Sequence, residues 1–300
     1  MMNFIEDFSR YIAPDTNRAA FIQEYLSLRG VKSNCVCMEG KKHILVQFDR
    51  RFYNPQFKIK TVVAHYDRVS GSPGANDNSA ADFMLMDWAV RLNAMPDFHN
   101  VRIFFTDGEE LGWNTGINEQ GAFAIASTFK RLGITKDDVY VFDACGRGEV
   151  PVLARTNISP AAPKDFIKRF NDLFERTQNL LRVSSPQRWM SLPVPYSDNA
   201  SFIACGIPAV AVTMLPADEA VLYARNLMTS PSLENMVLNR EQSKQERQEP
   251  GHVEYSYKER LPHTWRLFHT ENDSMDSLTE VSFKIMADIL NALAVSKTPA

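Results

Sequence analysis

Apolar positions along the chain follow two rhythms. Residues 16–29 place Phe21, Ile22, Tyr25 and Leu26 on one helical face, with Gly30 as a stop. Runs at 34–38 and 43–48, split by Glu39-Gly40-Lys41, predict a hairpin. Residues 58–64 read as a buried strand, and 79–92 as a helix with Phe83, Met86 and Val90 on one side. Residues 101–106 and 139–142 are continuous apolar strands, joined by a helix near 119–132. Further helices are expected at 162–174 and 280–293, and a further central strand at 207–214. Unbroken apolar strands between helices predict an α/β fold with a mostly parallel sheet covered on both faces. No internal repeat or Gly/Ser linker divides the chain, so residues 1–300 are expected to form one domain. The stretch 239–260 is almost wholly polar around Pro250-Gly251, and reads either as a solvated surface excursion or as a lid.

Composition narrows the function. Hydrophobic residues make up 44% and charged residues 23% of 300, enough to bury a core without disulfide or metal staples. Lys+Arg number 33 against Asp+Glu 36, for a net charge of −3. That balance lacks the basic footprint of a nucleic-acid or acidic-membrane binder. No apolar run approaches a membrane span. The start, Met1-Met2-Asn3-Phe4-Ile5-Glu6-Asp7, has no basic n-region, apolar h-region or cleavage site, so no secretory leader is expected. Cys35, Cys37, Cys145 and Cys205 make no disulfide framework, and a cytoplasmic location is expected.

In open α/β sheets, ligands bind beyond the carboxyl ends of the strands. Metal-capable residues gather there: His65-Tyr66-Asp67, Asp107-Gly108-Glu109-Glu110 and Asp143 each follow a strand. Pro73-Gly74-Ala75-Asn76-Asp77-Asn78 forms a loop entering a helix, and Phe268-His269-Thr270-Glu271-Asn272-Asp273 adds a second histidine. Singly each is weak, since a strand-end His or a Gly-Ala-Asn-Asp turn is commonplace. Together they place imidazoles and carboxylates, without thiolates, on one rim, which suits zinc or a similar divalent ion in a catalytic setting. Two such ions about 3.5–4 Å apart need a bridging carboxylate. Asp77, in a tight loop at a helix start, is placed to bridge. His65 and Asp143 would complete one metal, Glu110 and His269 the other. Glu109 is then the carboxylate left as general base for a metal-bridging water. Asp67 is placed to hold the far ring nitrogen of His65.

In order and spacing these motifs resemble those of the co-catalytic di-zinc aminopeptidase family, which also contains glutamate carboxypeptidase and glutaminyl cyclase. The resemblance covers roughly residues 58–295, and Tyr196-Ser197-Asp198-Asn199-Ala200-Ser201-Phe202 with Gly206-Ile207-Pro208-Ala209 resembles the family's substrate-side loop and next strand. It implies a single domain around a mixed sheet of about eight strands. It also implies two zinc ions held by His65, Asp77, Glu110, Asp143 and His269, with Glu109 as base and a cis peptide at Asp77–Asn78. Some relatives carry a Tyr directly before the last His, where this chain has Phe268. Tyr196 is then either the donor to the developing oxyanion or a pocket-lining residue.

Other residues are ambiguous. Cys35 and Cys37 offer half a metal-ligand set, and otherwise read as small packing residues. Cys145 reads as packing rather than as a nucleophile. Arg68 and Arg147 are either binders of a substrate carboxylate or loop charges. Trp113 and Trp189 are either walls of an apolar pocket or core residues. The resulting expectation is a zinc aminopeptidase acting on peptides. Its rivals are a carboxypeptidase or dipeptidase using Arg68 or Arg147, a one-metal glutaminyl cyclase, and a non-catalytic binding protein.

Overall fold

The computed structural model describes residues 4–111, 116–238 and 259–300. Helices α1 (Phe4–Ile12) and α2 (Arg18–Leu28) precede a hairpin of β1 (Asn34–Met38) and β2 (Lys41–Gln47). Then β3 (Lys60–His65), α3 (Ala80–Asn93), β4 (Val101–Thr106), α4 (Gly121–Arg131) and β5 (Asp138–Phe142) alternate. They are followed by β6 (Val150–Ala154), α5 (Lys164–Ser184), β7 (Met190–Leu192), α6 (Asn199–Ala204) and β8 (Ala209–Leu215). Last come α7 (Ala217–Thr229), α8 (Pro231–Leu238), α9 (His263–Leu267) and α10 (Glu280–Val295).

The described strands form one eight-stranded mixed sheet in the order β1-β2-β4-β3-β5-β8-β6-β7. Its centre, β4-β3-β5-β8, is parallel. Every residue of β3, β5 and β8 is buried, as expected of strands covered on both faces. Side chains alternate between two cores. Val62, Ile103, Phe105, Phe142 and Val212 pack with α1, α2, α3, α5 and α10. Val63, Phe104, Val141 and Ala211 pack with α4, α6, α7, α8 and α9. Register pairs His65 with Thr106, so the carboxyl ends of β3 and β4 finish level, with β5 beside them. The expected rim is therefore a single edge of the sheet.

Two sequence features explain local structure. The Asn17 side chain caps α2 by accepting from Ala20 N–H at 3.1 Å, and Gly30 follows that helix with a left-handed φ of 76°. At the far edge, buried Lys60 donates to the carbonyls of Leu293, Ala294 and Ser296 at 2.7, 3.1 and 2.6 Å. Those carbonyls end α10, and Leu293 O also accepts from Ser296 N–H and Oγ.

Some elements differ from the sequence reading. The interior strand β6 contains Pro151, which weakens any strand signal. Helix α5 runs ten residues beyond the expected end at 174. The region after 215 carries α7 and α8. Cys35 and Cys37 are exposed on edge strand β1, so they do not pack in the core. The stretch read as an excursion or lid lies outside the described residues, save Glu259 and Arg260. Among the described residues no helix is long and apolar enough to cross a membrane.

Candidate metal centre

His65, the last residue of β3, is 1% exposed and turns its ring over the sheet edge. Its Nε2 stands 3.1 Å from Asp77 Oδ1 and 3.6 Å from Asp143 Oδ1. The other oxygen of Asp77 is 3.4 Å from His269 Nε2, which is itself 2.9 Å from Glu110 Oε2. Two donor clusters result, His65–Asp77–Asp143 and Asp77–Glu110–His269, and Asp77 belongs to both. A third grouping brings His65 together with Glu109 and Glu110.

Backbone contacts hold these residues in place. Asp273 accepts from the N–H groups of Asn76 and Asp77 at 2.8 and 3.0 Å, and its carbonyl accepts from Ala75 N–H at 3.0 Å. Asp67 does the same for the turn after β4, taking Glu109 N–H at 3.1 Å and Glu110 N–H at 3.0 Å. Asn78 donates to Phe142 O at 2.9 Å and accepts from Ala144 N–H at 3.1 Å. Asn76 accepts from Gly146 N–H at 2.7 Å. The Asp77–Asn78 peptide is cis, as the resemblance implied. Gly74 has φ 58°, and a Cβ there would lie 2.6 Å from Asp77 O, so only glycine fits. His269 itself has φ 62° and Ala144 φ 54°, left-handed values that non-glycine residues rarely adopt.

Electrostatics show what the cluster needs. Burial alone would lower the His65 imidazole, yet the carboxylates of Asp143, Asp67 and Asp77 raise it well above its usual value. His269 is likewise opposed by burial but pushed up to about 10 by Asp77 and Glu110. Burial acts against the Asp77 charge, but His269 and His65 hold its carboxyl below the ordinary range. Burial raises Glu110, and the Asp77 charge adds to that. The carboxylates thus call for positive charge. In addition, both ring nitrogens of His65 and both oxygens of Glu110 are buried without hydrogen-bond partners. Buried polar atoms ordinarily find partners. Imidazole nitrogen and carboxylate oxygen aimed at a common space, with no thiolate in either cluster, fit zinc-like divalent ions.

The remaining expectations fare differently. Asp67 Oδ1 stands 3.5 Å from His65 Nδ1, the ring nitrogen it was expected to hold, and the two Asp67 oxygens also accept from the Glu109 and Glu110 N–H groups. Tyr196 is half-buried between β7 and α6. Cys145 is buried and donates weakly to Val212 O, and burial pushes its thiol up, in keeping with a packing residue. Arg68 spends its guanidinium on the carbonyls of Ile12, Ala13, Pro14 and Pro73. Arg147 is bound to Thr264, Ser277 O and Glu219. Neither is available for a substrate carboxylate in this arrangement. Trp189 packs against the core, and Trp113 lies outside the described residues. Sequence reasoning gave no role to Asn76, Asn78, Gln120 or Arg18, whose NH1 and NH2 bind Tyr66 O and Pro73 O. Amides and carbonyl-binding guanidinium groups leave no charge or spacing signature. The flanking of Asp77 by two asparagines was the one available signal.

The model of Peptidase family M28 matches residues 54–294. The chain belongs to peptidase family M28. Membership in a peptidase family is in keeping with this donor set. The M28 chain is 41% identical over 54 residues to Aminopeptidase YwaD of Bacillus subtilis (strain 168), a match spanning 18% of this chain and 12% of that protein. Among solved structures it resembles the LapA aminopeptidase of Legionella pneumophila at TM-score 0.61 and 15% identity, covering 97% of this chain and 69% of that one. A Zn-dependent exopeptidase from Parabacteroides distasonis aligns at TM-score 0.59 and 11% identity, over 97% and 95% of the two chains. The glutaminyl cyclase of Porphyromonas gingivalis aligns at 0.57 and 13%, over 96% and 94%. At these identities the structural likeness is one of fold.

Proposed function

We propose that this M28 chain is a two-zinc aminopeptidase that hydrolyses the N-terminal peptide bond of peptides. The observation that carries the reading is the position of Asp77. One of its oxygens faces His65 and the other faces His269, with Asp143 completing the first donor set and Glu110 the second. His65, Asp143 and Asp77 would hold one ion; Glu110, His269 and Asp77 the other. Family membership and the zinc exopeptidase among its structural neighbours support zinc as the metal.

When bound, zinc supplies Lewis-acid polarisation of a carbonyl and acidifies water. Glu109, next in sequence to ligand Glu110 and buried at the same rim, takes a proton from the attacking water and passes it to the leaving amine nitrogen as the peptide C–N bond breaks. Carboxylates at the rim receive the substrate α-ammonium. Asp67 and Asp273 keep their two loops fixed throughout, which holds base and ligands in one geometry.

The test pairs metal content with a substrate panel. Two zinc per chain and chelator-sensitive cleavage of short peptides with free, but not acetylated, N-termini are expected. Cleavage of acetylated peptides that is lost on C-terminal amidation would assign a carboxypeptidase. One zinc per chain with cyclisation of N-terminal glutamine would assign a glutaminyl cyclase. Glu109→Gln is expected to keep both metals and lose most turnover.

A further inference from the structure

The turn after β4 is pressed against the start of α4. A Cβ on Gly121 would stand 1.8 Å from the Asp107 carbonyl oxygen, and Gly121 N–H donates to Gly108 O at 3.2 Å. Only glycine permits so close an approach. It brings the preceding residue, Gln120, beside Glu109. Gln120 is 1% exposed and donates through Nε2 to Glu109 Oε1 at 2.8 Å. Its amide oxygen accepts from Ser201 Oγ at 2.8 Å, and Ser201 is fully buried on α6. Three side chains from separate segments therefore form one buried chain of contacts ending on a single carboxylate oxygen.

We infer that Gln120 is a positioning residue for Glu109, with Ser201 holding the Gln120 amide the right way round; this rests on the reading of Glu109 as base. A carboxylate that must accept a proton works only if held within a fraction of an ångström of its target. Three rotatable bonds separate the Glu109 carboxylate from its backbone, and Asp67 fixes only the backbone end. The Gln120 N–H fixes the other end. A neutral amide does so without adding a charge to the rim, whereas a lysine or arginine would form an ion pair with the base. An amide can also turn over and present its oxygen to the carboxylate. The Ser201 hydroxyl, donating to that oxygen, favours the one orientation in which all three groups are satisfied.

Gln120→Met keeps the volume and removes the donor. Assayed on a short peptide with a free N-terminus, it is expected to lower kcat about 10- to 100-fold, with KM and zinc content unchanged. Ser201→Ala is expected to give a smaller loss of the same kind. In a Glu109→Gln background Gln120→Met should add nothing, since its effect passes through Glu109. Equal losses in both backgrounds, or KM and zinc content falling together with kcat, would mean a structural role and overturn the inference. An inactive Glu109→Gln beside a fully active Gln120→Met would overturn the inference and leave the base reading standing. Full activity in Glu109→Gln would overturn both. A second readout needs no substrate. The side-chain amide resonances of Gln120, assigned by their loss in Gln120→Met, should shift in Glu109→Ala; unchanged resonances would overturn the hydrogen bond itself.

Discussion

Asn78 brackets Asp143. Its amide nitrogen holds the carbonyl of the residue before Asp143 and its amide oxygen holds the N–H of the residue after it. The neighbour of Asp77 therefore places Asp143, one of the proposed metal ligands. Asn78→Ala should leave two buried backbone groups unpaired, at a cost of about 2–5 kcal/mol. It should also weaken binding at the His65–Asp143 site more than at the Glu110–His269 site. Stepwise zinc titration against a chromophoric chelator, with urea unfolding alongside, measures both.

Asp273 makes the corresponding contact from the C-terminal side. Asp273→Asn replaces one of its two acceptor oxygens with a donor that faces an N–H group. Zinc affinity is expected to drop about 10- to 100-fold, the range for groups that orient ligands. Loss should reach both donor clusters, since Asp77 belongs to each. Unchanged affinity would make the contact with Asn76 and Asp77 dispensable.

Asp82 gives a pH-dependent expectation. It is fully buried on α3 and accepts from the Tyr11 hydroxyl at 2.7 Å. Burial pushes its carboxyl up to about 8, with the Tyr11 hydrogen bond and then the Arg18 charge opposing. In the unfolded chain it ionises near 3.9. Between those values the folded protein binds more protons than the unfolded one, so stability falls as pH rises from about 4 to 8. The slope from this group is at most about 1.4 kcal/mol per pH unit. Asp82→Asn retains an acceptor for Tyr11 and removes the ionisation. Its urea midpoint should fall less between pH 5 and pH 8 than that of the parent chain.

Lys60 separates stability from the metal site. Lys60→Met removes the ammonium donor from three carbonyls at the end of α10, of which Leu293 O keeps Ser296 N–H and Oγ, with an expected loss of about 2–4 kcal/mol. The residue opens β3, whereas His65 closes it. Metal affinity should therefore stay at the parental value while the unfolding midpoint drops.

Much of this architecture was readable in the chain, for a definite reason. His65 and Asp143 stand directly after continuous apolar runs, where a parallel sheet delivers ligands to one edge. Asp77, Glu110 and His269 belong to short motifs whose charge has no packing explanation. What stayed hidden is carried by groups that leave no such mark. Gln120 and Asn78 are neutral, and their roles depend on which backbone lies opposite. Arg68 and Arg147 had the right chemistry for a substrate carboxylate, but nearby backbone carbonyls and side chains occupy both. Strand β6 was masked by Pro151, and exposed Cys35 and Cys37 show that small residues on an edge strand need not face inward.

The run Asn76-Asp77-Asn78 has a consequence for how this protein can change. Three consecutive side chains reach three destinations: the Gly146 amide, the two histidines, and the backbone on either side of Asp143. No one of them can be shifted along the chain without shifting the others. Loops away from the rim can lengthen or shorten while the chemistry persists. An insertion or deletion within these three positions would instead disconnect the whole rim at once, so variation here is confined to substitution.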